Sequence, residues 1–176
     1  MSNNYEKFVN DIINDENIDS EIRQHLFEVA FNNGYMEIAN KLLSYTYING
    51  LFGTACSNGK LEMAKYLFDS PKLDKDCEYF ITDACSNQQV EMIKFLLEHD
   101  FPISIWALFY VLHNTEIVKI LLDSGKITPK ILSQPVNGGD IFEFLHDYPE
   151  TKELIQQYLY KADSQEYHKF YHFAEK

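Results

Sequence analysis

The stretch "TACSNGKLEMAKYLFDS", Thr54–Ser70, is followed by "DACSNQQVEMIKFLLEHD", Asp83–Asp100. A catalytic motif needs to occur once. A sentence written twice in so short a chain describes a building block whose value lies in being stacked. Aligned on the acidic residue, the pair extends to four copies. "LFEVAFNNGYMEIANKLL" (Leu26–Leu43) precedes it and "IWALFYVLHNTEIVKILL" (Ile105–Leu122) follows. The marker acids are Glu37, Glu62, Glu91 and Glu116, spaced 25, 29 and 25 residues apart. "VNGGDIFEFL" (Val136–Leu145) reads as a degraded fifth copy, with Asp140 as the counterpart acid.

Each copy divides into two short helices. In the second, Phe52, Ala55 and Cys56 fall on one face of the first helix. Gly59 ends that helix, because a left-handed residue after the last turn is least costly for glycine; Gly34 does the same in the first copy. Glu62 then lies in the opening turn of the next helix, where the free N–H groups favour an acid. Met63, Ala64, Leu67 and Phe68 follow as an amphipathic stripe. Neither helix is long enough to be stable alone. The motif recurs because stacked pairs bury what a single pair leaves wet.

These residues resemble the ankyrin-repeat family. The matching half of its pattern, A-x-x-G-x-x-E followed by two apolar residues and a later L-L, is carried by Ala30, Gly34, Glu37, Ile38, Ala39, Leu42 and Leu43 in copy one. In copy two it is carried by Ala55, Gly59, Glu62, Met63, Ala64, Leu67 and Phe68. Copies three and four keep Glu91 with Met92, Ile93, Leu96 and Leu97, and Glu116 with Ile117, Val118, Leu121 and Leu122. The family's T-P-L-H opening is absent and the period falls short of about 33 residues. The resemblance therefore implies an all-α, ankyrin-like helix-pair solenoid with shortened or missing β-hairpin fingers. "DSPKLDKDCE" (Asp69–Glu78) has room for a small finger. The wording is most similar to divergent repeats of large DNA viruses and intracellular bacteria. The expected organisation is a capping segment over 1–25, with a helix at Tyr5–Ile13, and repeats over 26–146. A capping helix follows over 147–162, begun by Pro149, and an aromatic tail over 163–176.

In such repeats the residues ending the first helix of each pair line a concave groove that binds protein. Carried onto this chain they are Asn32 and Asn33, Ser57 and Asn58, and Ser86 and Asn87, with Thr54 and Asp83 beside them. By the same alignment the fourth copy places Leu108, Val111 and Leu112 at these positions. That apolar patch is either a contact for the partner or covered from within by Tyr167, Phe170, Tyr171 and Phe173 of the tail.

Composition bounds the remaining classes. The chain has 176 residues, 15 basic and 27 acidic side chains, and a net charge of −12. Arg23 is its one arginine. Phosphate neutralisation and base reading both depend on Lys and Arg, so no nucleic-acid role is expected. No apolar run reaches the roughly 18–20 residues of a membrane span, and the start, "MSNNYEKFVNDIIND", predicts no secretory signal. Three cysteines form no disulfide framework; a reduced, cytoplasmic setting is expected. Phosphate loops, H-E-x-x-H, G-x-S-x-G and paired-cysteine zinc spacings are missing. His168 and His172 lack an evident third metal ligand, His113 reads as a turn residue, Asp147 as a helix cap, and Cys77 lacks an activating base. No enzyme activity, cofactor or metal is expected. The reading is a binding protein, monomeric when free: an adaptor or host-directed effector that engages a protein through its groove. The alternative is an acidic immunity or inhibitor protein that neutralises a basic toxin or nuclease.

Overall fold

The structure, a computed structural model, describes residues 18–161 together with residues 7, 11, 12 and 15. The aromatic tail, His168, His172 and most of Tyr5–Ile13 lie outside the described residues; Lys7, Asp11 and Ile12 are helical. The described chain is all-α, built from helix pairs of the solenoid class. Its helices are α1 (Ser20–Asn32), α2 (Met36–Leu43), α3 (Ile48–Ser57), α4 (Leu61–Phe68), α5 (Tyr79–Ser86), α6 (Val90–Glu98), α7 (Ile105–Tyr110), α8 (Thr115–Asp123), α9 (Pro129–Leu132), α10 (Ile141–Phe144) and α11 (Pro149–Lys161). Contacts divide them into two compact units: residues 1–55 with 62–74, and 56–61 with 75–176.

In the first unit Asp19 caps α1, its carboxylate accepting from the Ile22 amide at 2.9 Å. Phe27 and Ala30 turn inward from α1, Ala39 and Leu42 from α2. Tyr66 packs its ring 5.2 Å from that of Phe31 and donates its hydroxyl to Asn40 Oδ1. Half-buried among these rings, its phenol is held above its ordinary pKa by desolvation. A methyl group on Gly50 would come within 2.6 Å of Gln24 Nε2, so the end of the Gln24 side chain rests on α3 at a residue without a Cβ.

The second unit repeats the scheme. Phe80, Ile81, Ala84 and Cys85 of α5 are buried, as are Met92, Ile93, Phe95 and Leu96 of α6. Gln88, just before α6, stands where the earlier copies have glycine and takes the same left-handed conformation (φ 56° against 74° at Gly34 and 64° at Gly59). The next amide, Gln89 N, bonds to Ala84 O at 2.9 Å and closes the helix end. Polar ties then recur one repeat apart: Asn114 Nδ2 donates to Gln88 Oε1 at 3.0 Å, and Lys126 Nζ to Asp100 Oδ1 at 2.9 Å. At the end of the unit α11 packs on α8. Its Thr151 hydroxyl donates to Leu112 O at 2.6 Å and Tyr158 to Ile127 O at 2.8 Å.

Two local expectations need correction. Asp69–Glu78 forms turns and no finger; among the described residues the one extended pairing is a bridge between Val136 and Gly139, closed over Asn137 and Gly138 at positive φ. Asp140 is not a fifth first-turn acid. It precedes α10 as its N-cap, accepting from Phe142 N at 2.8 Å, whereas the four marker glutamates each occupy the second residue of their helix.

Candidate functional site

Burial fixes the register of the fourth copy, and it differs from the one the marker acids suggest. The buried quartet of the second copy is Leu51, Phe52, Ala55 and Cys56, and of the third Phe80, Ile81, Ala84 and Cys85. In the fourth it is Ala107, Leu108, Val111 and Leu112, with the same internal spacing. Ala84 precedes its marker acid by seven residues, but Val111 precedes Glu116 by five. The turn of the fourth copy has therefore lost two residues. It also lacks the left-handed residue: Asn114 is extended and caps α8 directly, accepting from Ile117 N at 3.2 Å.

Leu108, Val111 and Leu112 are thus core residues, 0, 0 and 2% exposed, and not surface equivalents of Asp83, Ser86 and Asn87. The true counterpart of Asp83 is Tyr110, that of Ser86 is His113, and that of Tyr79 is Trp106. Thr151 reaching over Leu112 covers part of the patch within the described residues.

The polar candidates are placed as follows. In the first unit Asn32 and Asn33 are exposed and Thr54 is half-buried; Asn33 Nδ2 donates back to Val29 O at 2.7 Å. In the second unit Ser57 is half-buried and Asn58, Ser86 and Asn87 are exposed. Asn87 Nδ2 repeats the closing bond, to Asp83 O at 2.9 Å, and Ser86 Oγ donates to the same carbonyl at 3.0 Å. These short side chains finish the helix as well as facing water.

Within the second unit three turns are joined in a row. A Cβ on Gly59 would fall 2.2 Å from Gln89 Oε1, so the Cys56–Leu61 turn lies directly against the next one. Gln88 ties that one to Asn114. Ser57, Asn58, Ser86, Asn87 and His113 share this row.

Beside it, between α5 and α7, opens a cleft of about 480 Å³ lined by Glu78, Tyr79, Thr82, Asp83, Ser86, Ser104, Trp106 and Tyr110. Its floor is fixed by the hydroxyl pair Thr82 and Ser104, 3.0 Å apart. Trp106 stands edge-on to Phe109 (centroids 5.7 Å, 86°), which in turn meets Phe144 at 5.0 Å and 78°. Tyr79 and Tyr110 are exposed at the rim. Burial raises the Asp83 carboxyl above the usual range. Among the described residues that carboxylate makes no side-chain hydrogen bond or ion pair. Sequence reasoning found Asp83 and Ser86 here and missed the aromatic wall. The signal was present in the "LHNT" turn, two residues shorter than "CSNQQV".

Burial pushes Cys85 up to about 12 and raises Cys56 further, so neither supplies a thiolate near neutrality. Asp147 lies in a one-turn 3-10 helix and caps nothing among the described residues. No group of three metal-ligating side chains occurs among the described residues, nor is any helix there long and apolar enough to cross a membrane.

Residues 52–131, which hold the turn row and the cleft, match a family model described as ankyrin repeats, in three copies. No curated protein and no solved structure matches the chain.

Proposed function

We propose that this chain, whose residues 52–131 match a family model of ankyrin repeats, is a non-catalytic adaptor or effector that binds one protein in the cytoplasm through its turn row. Ankyrin repeats generally mediate protein–protein interaction. The observation that carries the reading here is the row itself, three turns set side by side, with Gln89 lying against Gly59 and Gln88 hydrogen-bonded to Asn114. A row of short polar side chains offers hydrogen bonds at little cost in side-chain entropy. The experiment is capture of partners from cytosolic extract on the immobilised protein, beside Asn58→Arg combined with Asn87→Arg. A partner held by the native protein and lost by the double variant is the expected result. Retention by the double variant would overturn the role given to the row.

A second reading is favoured by the net charge of −12: an inhibitor that covers the active site of a basic toxin or nuclease. Attraction between opposite fields would then dominate association and weaken steeply with salt. Stepwise salt washes separate the two. A basic partner released at moderate salt supports the inhibitor, and a salt-resistant one supports the adaptor.

A further inference from the structure

We propose that the cleft between α5 and α7 receives a cationic side chain, arginine in preference to lysine, from a basic segment of the bound partner. The inference rests on the reading that this face binds protein, and it adds the chemistry of the anchor. Three features of the cleft converge on a cation.

Its charged lining is wholly acidic, Glu78 and Asp83, with no Lys, Arg or His among the lining residues. A half-buried carboxylate normally finds a donor, since desolvating a charge without a partner is costly. Asp83 makes no side-chain hydrogen bond or ion pair within the described chain, so its carboxylate is available to a donor from outside. Next, the wall is aromatic. Trp106 and Tyr110 have centroids 6.1 Å apart and lie within 35° of parallel, and Tyr79 closes the rim. Such ring faces attract a cation and stack well on a planar guanidinium. Finally, the wall is set in advance, with Trp106 edge-on to Phe109 and Phe109 to Phe144. A purely apolar guest would strand the Asp83 carboxylate under it. An acidic guest would meet two like charges.

Trp106 is the chain's single tryptophan, so its fluorescence reports this cleft directly. The probe is a blocked pentapeptide, Gly-Gly-Arg-Gly-Gly, titrated at low ionic strength beside versions carrying lysine, citrulline or phenylalanine at the centre. Citrulline keeps the shape of arginine and removes its charge. The arginine peptide should saturate the signal, with lysine weaker and citrulline weaker by roughly tenfold. Asp83→Asn should weaken the arginine peptide by a similar factor, and Glu78→Gln by less, because Glu78 is the more exposed acid. Thermal melts of both variants verify folding. Equal binding of citrulline and arginine, preference for phenylalanine, no saturable signal, or indifference to both substitutions would each overturn the proposal. The broader reading fails separately. If partner capture survives Asp83→Asn but is lost on changing Asn58 and Asn87, the row binds and the cleft does not. If the peptides bind the cleft but partner capture ignores the row, the row is at fault.

Discussion

Asp83 carries its burial as a cost. Its carboxyl is displaced upward by desolvation, so the folded protein holds that proton more tightly than the unfolded chain does. Stability attached to this group is therefore lost as pH rises from the ordinary carboxylate value towards the raised one, and the full cost is present at neutrality. The expected outcome is that Asp83→Asn melts slightly above the native protein at pH 7. The gap should close as pH falls below about 3.8, the ordinary value, where both side chains are neutral. Melting curves at several pH values check this; a variant less stable at pH 7 would show that the carboxylate holds the fold together. Residues kept for binding commonly sit at such a deficit, and the same substitution that stabilises should weaken the cation site. Asp100 runs the other way. Its bond to Lys126 holds its carboxyl below the usual range, so its small contribution is present at neutrality and lost in acid.

At the scale of the helix pair, the legible and illegible parts separate cleanly. Gly34 and Gly59 announce their turns, since a left-handed residue is unfavourable for any other side chain by roughly 1–2 kcal/mol. Gln88 carries that penalty at the equivalent position, its φ at 56°, and nothing in its side chain announces it. The stripes of α4, α6 and α8 were plain, because buried residues at i, i+1 and i+4 are the signature of a helix packed on one side. What misled was the assumption that every turn has one length. Anchoring on Glu116 shifted the preceding helix by two residues, which carries a side chain about 200° around a helix and turned core into surface. The error propagated to Leu108, Val111 and Leu112 and hid the aromatic wall of the cleft. The corrected register makes a sharp prediction. Leu112→Ala should destabilise by about 2–5 kcal/mol, as for a leucine removed from a packed core. His113→Ala, one residue along on the exposed row, should change stability by no more than about 0.5 kcal/mol. Denaturant midpoints decide it; a tolerant Leu112 would restore the original alignment.

For the molecule as a whole, charge is the property that no single helix reveals. Twenty-seven acidic side chains face fifteen basic ones, and the described ion pairs lie at the surface. Lys65 with Glu62 and Lys94 with Glu91 are spaced three apart, and Lys126 with Asp100 spans one repeat. Exposed pairs of this kind add little to stability and are weakened by salt. The surplus acids repel one another over distances set by screening, about 30 Å at 0.01 M ionic strength and about 8 Å at 0.15 M. Sodium chloride thus pulls stability two ways, loosening such weak pairs while relieving a net charge of −12. Repulsion is summed over many separations comparable to the longer screening length, so its relief should prevail. The melting temperature is expected to rise between those two salt concentrations, by about 2–4 °C for each kcal/mol relieved in a chain of this size. A fall would mean that the ion pairs outweigh the repulsion. The same field should draw a cationic partner in faster at low salt, so conditions that favour the free protein's stability should slow the association its cleft is built for.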